Sequence, residues 1–173
     1  MALATNSGFF NNTSQNSRGL RNTIGHELGH GIGFGHTLPS DQTKLLEPGI
    51  TFAFDGPQFD DILGVQRQYG DVNETGLGND TSANATALGG VDFGQTLSIG
   101  TDALDTSVAF GETDFVSIDG ASDTDFYGIV LPAGAIVDIT LTPVGPTYLE
   151  GPQGGPAPTP FDTSMLNDLT LEF

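Results

Sequence analysis

The chain has 173 residues, and its 4 Lys and Arg stand against 22 Asp and Glu, a formal charge of −18 at pH 7. That balance excludes a nucleic-acid surface of the usual basic kind and argues against docking on an anionic membrane. Cysteine is absent, which removes disulfides, thiolate metal sites and Cys nucleophiles. Leu, Ile, Val and Phe make up about 27% of the residues, above the ~20% below which chains fail to build a core. No apolar run approaches the roughly 18 residues that span a bilayer. Met1–Asn6 has neither the basic start nor the apolar stretch of a signal peptide, so any export signal is expected outside this chain.

Residues 1–16 are polar and show little periodicity. A helix is predicted over Ser17–Phe34, with Ser17 as its N-cap. Leu20, Ile24, Leu28 and Ile32 form one apolar stripe at i, i+4 spacing. The glycines at 25, 29, 31, 33 and 35 oppose a helix, each costing roughly 1 kcal/mol against Ala. They imply close approach by other backbone, or a function that outweighs helix stability. Residues 37–56 read as irregular loop. A second helix is predicted over Pro57–Tyr69, with Pro57 at its first position, Ile62, Val65 and Tyr69 on its core face, and Gly70 as its stop. A linker follows over 73–78. Strands are then predicted at Gln95–Ile99, Thr106–Phe110, Phe115–Ile118, Asp125–Leu131, Ile136–Thr142 and Leu169–Phe173, with Gly151–Pro160 as a Gly/Pro loop. No internal repeat is visible.

All 3 histidines fall in one stretch, His26-Glu27-Leu28-Gly29-His30-Gly31-Ile32-Gly33-Phe34-Gly35-His36. On a helix, His26 and His30 project from the same face, one above the other. Two imidazoles so placed reach one metal ion at about 2.0–2.1 Å each. A third ligand one turn further along would sit too far up the rod, so the chain must turn back. Gly33 tolerates the backbone angles this requires. His36 then completes three nitrogens and leaves a fourth position open, the arrangement of catalytic rather than structural zinc. Glu27 leans to the side of the metal face, where its carboxylate serves as general base toward a water activated by the metal. The implied reaction is hydrolysis of a peptide bond. Two alternatives stay open: histidines satisfied on a polar helix face, and a site that binds metal without catalysing.

This stretch resembles the long zinc-binding signature of the metzincin metalloproteases. Asp60-Asp61-Ile62-Leu63-Gly64-Val65-Gln66-Arg67-Gln68-Tyr69-Gly70 resembles the C-terminal helix of the matrixin branch. The resemblance implies an apolar floor beneath the metal at Lys44-Leu45-Leu46-Glu47-Pro48, with Leu46 where the family carries methionine. It also implies a β-sheet ahead of the zinc helix, whose edge strand binds substrate. The residues before His26 are too few for four or five strands, so the chain is expected to be the C-terminal part of such a domain and to show little proteolysis alone. Asp123-Thr124-Asp125-Phe126-Tyr127-Gly128-Ile129-Val130-Leu131-Pro132-Ala133-Gly134 is similar to the opening of the pre-peptidase C-terminal β-sandwich of secreted bacterial proteases, and Asn79-Asp80-Thr81 to its entry. That likeness implies calcium at Asp80, Asp119, Asp123 and Asp125, which otherwise read as turn residues and solvated charge.

The expectation is therefore an α+β chain. Residues 1–72 form a partial zinc metallopeptidase domain, and 79–173 an incomplete β-sandwich. The function expected is a secreted zinc endopeptidase acting on protein or peptide, with zinc on His26, His30 and His36 and Glu27 as base. The competing expectation is a non-catalytic adhesion or matrix-binding module with a vestigial zinc site.

Overall fold

The computed structural model describes residues 7–38, 40–100, 116–143, 145–165 and 169–172. The chain is mixed α and β. Helix α1 spans Ser14–Gly31, strand β1 Thr37–Leu38 and helix α2 Phe59–Tyr69. Strands β2 (Thr86–Gly90), β3 (Tyr127–Val130), β4 (Thr147–Pro152) and β5 (Thr159–Asp162) follow. Among the described residues, no helix is long and apolar enough to cross a membrane.

Helix α1 departs from expectation at both ends. The element is capped at Thr13 rather than Ser17, and Gln15, Asn16 and Ser17 inside it have φ of 52°, 54° and 59°, so its regular right-handed turns begin only after Ser17. Its far end is Gly31 rather than Phe34. The expected apolar stripe is not the buried face either. Ile24 is 44% and Leu28 63% exposed, whereas Gly19, Asn22, Thr23, His26 and Gly29 are buried. The reason lies in the loop over 41–56, which packs on the glycine side of the helix. A Cβ on Gly29 would stand 2.6 Å from Leu46 Cδ2, so only a glycine admits that approach. Asn22 fastens the same loop. Its amide donates to the carbonyls of Thr51 and Phe54, both at 3.0 Å, and its oxygen accepts from Gly56 N at 2.9 Å.

Helix α2 starts two residues later than expected. Pro57 lies outside it, and Gln58 is the N-cap in a reciprocal capping box with Asp61. Phe59 is buried against Ile62, Leu63 and Tyr148. Tyr69, expected on the core face, is exposed.

The strands agree least with expectation. β3 lies within the expected Asp125–Leu131. Residues 95–99, 116–118, 136–142 and 169–172 are described without strand pairing. Thr106–Phe110, Phe115 and Phe173 lie outside the described residues. β1, β2, β4 and β5 have no counterpart among the expected strands. β2 is Thr-Ala-Leu-Gly-Gly, and β4 and β5 take up both ends of the expected Gly/Pro loop. None offers the β-branched alternation that marks a strand in sequence. β2 and β3 pair in parallel, with an irregularity between Ala87 and Gly89. The other sheet has the order β1-β4-β5, antiparallel throughout. Pro152 and Gly151 of β4 thus pair with Thr37 and Leu38, the two residues that follow His36.

Candidate metal centre

His26 and His30 stand one turn apart on α1, and Gly33, at φ 105°, turns the chain back after it. That φ is open to glycine and strained for a branched side chain. The turn is held from α2: the Tyr69 hydroxyl donates to Ile32 O at 2.7 Å. His36 then returns to the other two. The three Nε2 atoms converge, with separations of 3.0 Å (His26–His30), 3.1 Å (His30–His36) and 3.2 Å (His26–His36). Nitrogens at the corners of a tetrahedron with zinc-like bonds are about 3.3–3.4 Å apart. His26 is buried, and His30 and His36 are half-buried.

Each ring is also fixed from behind. His26 Nδ1 donates to Leu45 O at 2.8 Å, His30 Nδ1 to Phe34 O at 2.8 Å, and His36 Nδ1 to Gln153 Oε1 at 3.0 Å. Carbonyl oxygens only accept, so each neutral ring carries its proton on Nδ1 and leaves the Nε2 lone pair facing inward. Three lone pairs about 3 Å apart with no proton between them repel one another, and a cation among them removes that repulsion. The triad could hold a metal ion.

Two buried carboxylates hold the Gln42–Leu46 segment beside α1. Asp61 accepts from Leu45 N (2.7 Å), Leu46 N (3.1 Å) and Gln58 N (2.8 Å). Burial pushes its carboxyl up to about 6, against the pull of those three N–H groups. Glu47 accepts from Gln42 N, Thr43 N and Lys44 N at 2.8–3.1 Å, and burial raises its pKa too. Leu45 is thereby placed with its carbonyl at His26, and Leu46 lies buried against Gly29. Leu46 is the residue expected where the resemblance sets a methionine. Glu27 is exposed on α1, next to His26 in the chain.

A second group lies between the linker and the 117–127 segment. Carboxylate oxygens of Glu74, Asp119 and Asp123 lie within 4.8 Å of one another. Of the four expected calcium residues, Asp119 and Asp123 belong to this group, while Asp80 and Asp125 act on it through their charge. Glu74 was not expected and joins from the linker. Burial, then the charges of Asp123, Asp80, Asp119 and Asp125, push Glu74 up to about 7. Burial, then Asp71 and Asp123, push Asp125 up to about 6. Glu74 Oε1 and Asp125 Oδ1 are buried with no hydrogen-bond partner.

Sequence reasoning missed Asp61, Glu47, Tyr69 and Gln153 in these roles. Only Asp61 left a trace, since Gln58 and Asp61 have capping-box spacing. No protein-family model, curated protein or solved structure matches the chain.

Proposed function

We propose that this chain carries the zinc centre of a secreted, metzincin-like endopeptidase. The observation that carries the reading is the convergence of three Nε2 lone pairs, each ring locked by an outward Nδ1–H bond. Zinc on His26, His30 and His36 would supply a Lewis acid for the scissile carbonyl and lower the pKa of the attacking water. Glu27 takes the proton of that water as its oxygen bonds to the carbonyl carbon. As the C–N bond breaks, Glu27 returns the proton to the leaving amine. Its exposure leaves it open to substrate and solvent. The order of zinc helix, return turn, Leu45–Leu46 floor and α2 supports reading 1–72 as part of a metzincin-like domain. β3, inside the Asp123–Gly134 motif, supports the pre-peptidase-like reading of 79–173. Calcium at Glu74, Asp119 and Asp123 is part of the same proposal, supported by the buried, unpartnered oxygens beside it.

The test is Glu27→Ala in the longest native form of the chain, loaded with zinc. The variant keeps its zinc and cleaves casein about 10²–10⁴-fold more slowly, the usual loss on removing a general base. Cleavage at the parent rate removes Glu27 from the mechanism. Full zinc occupancy with no turnover in the parent favours the adhesion or matrix-binding module instead.

A further inference from the structure

The three histidines are not held equally. His26 and His30 donate to main-chain carbonyls of Leu45 and Phe34, which no substitution can delete. His36 alone donates to a side chain, and that side chain is 117 residues away in sequence. The sheet explains how it arrives. β1 pairs antiparallel with β4 in the register Thr37↔Pro152 and Leu38↔Gly151. Continued one step past the ends of both strands, that register would set position 36 opposite position 153. Side chains directly opposite in an antiparallel pair have Cβ atoms about 4.5–5.5 Å apart. A Gln there spans the gap, and its Oε1 reaches His36 Nδ1 at 3.0 Å.

We propose that Gln153 is a positioning residue of the metal centre, acting through His36 and never touching the metal. This rests on the zinc reading above. The amide oxygen selects the His36 tautomer with the proton on Nδ1, and so directs the Nε2 lone pair to the shared point. It also fixes the plane of a ring that lies one residue outside β1. Outer partners of this kind typically contribute 10–100-fold or so in metal affinity. The hairpin β4–β5 is then a working part of the centre, although its residues lie far outside the histidine motif.

The experiment is a zinc titration against a competing chelator for the parent chain, Gln153→Ala and Gln153→Glu. Ring ¹⁵N spectra of His36 are recorded in each zinc-loaded protein. Gln153→Ala should weaken zinc binding about 10-fold or more, with His36 ¹⁵N shifts displaced and those of His26 and His30 kept. Gln153→Glu, which offers an acceptor oxygen in the same place, should restore the affinity and the His36 shifts. Tight zinc binding with equal affinity and unchanged His36 shifts in Gln153→Ala would overturn the role of Gln153 and leave the zinc reading standing. A parent chain that binds no zinc would overturn both.

Discussion

Tyr69 donates its hydroxyl to the carbonyl of Ile32 at 2.7 Å, tying the last residue of α2 to the turn from which His36 returns. Gln68 Nε2 donates to the same hydroxyl at 3.1 Å. The closure of the triad thus depends on α2 as well as on the histidine motif. Phe34 reinforces the contact by packing over Gly64, where a Cβ would meet its ring at 3.4 Å.

Tyr69→Phe keeps the ring and deletes only this bond. A neutral hydrogen bond contributes about 0.5–1.5 kcal/mol, so zinc affinity should fall roughly 2–10-fold with the fold intact. Chelator competition, with circular dichroism as control, measures this. Unchanged affinity would mean that Gly33 and β1 set the turn without α2.

Asp61→Asn should loosen the Leu45–Leu46 segment that packs on α1. An amide presents one acceptor oxygen where the carboxylate presents two, and its NH₂ then faces a backbone N–H. Leaving a buried donor unpaired costs about 1–3 kcal/mol, read by denaturant unfolding in the presence of EDTA. The pH dependence has a definite sign. The folded pKa is raised from 3.8 to about 6, so the ionised form is the less favoured one in the fold. The stability linked to this proton is fully present below the unfolded value and is lost as pH rises to about 6. The advantage of the parent over Asp61→Asn should therefore shrink across that window and stay level above it. An advantage that grows with pH would show that the three N–H groups outweigh burial.

Calcium should stabilise the chain through Glu74, Asp119 and Asp123. At 10–100-fold excess over Kd the gain is about 1.4–2.7 kcal/mol by mass action. Glu74→Gln removes one of the three carboxylates and should abolish most of the shift. Thermal unfolding with and without calcium measures it. No shift in the parent would assign these carboxylates to turns and solvated surface.

The histidine triad was far more legible in the sequence than the fold. His26, His30, Gly33 and His36 act through helical spacing and one turn, both written in adjacent residues. The loop beside α1 was less legible: Asp61 and Glu47 hold it through backbone N–H groups of Leu46 and Lys44, and nothing in a sequence marks a carboxylate as buried. The α1 stripe misled because four aliphatic residues outweighed Gly29, whose missing side chain admits Leu46, and because Gly19, which admits Phe52, went unread. The strands were hidden for another reason. Pro152 and Pro160 lie in β4 and β5, where proline cannot donate to a ladder and reads as loop. Gln153 had no signal, because its role depends on a register between segments more than a hundred residues apart.

On the proposed reading, three imidazoles, two on a helix and one on its return turn, share a single zinc ion. Zinc-edge X-ray absorption of the loaded chain, with His30→Ala beside it, is the decisive measurement. The parent should hold one zinc with three imidazole nitrogens at about 2.0–2.1 Å and one further light ligand. His30→Ala should lose more affinity than the roughly 10–100-fold that an outer partner costs. A zinc shell with fewer than three imidazoles, or His30→Ala binding zinc as tightly as the parent, would contradict the claim.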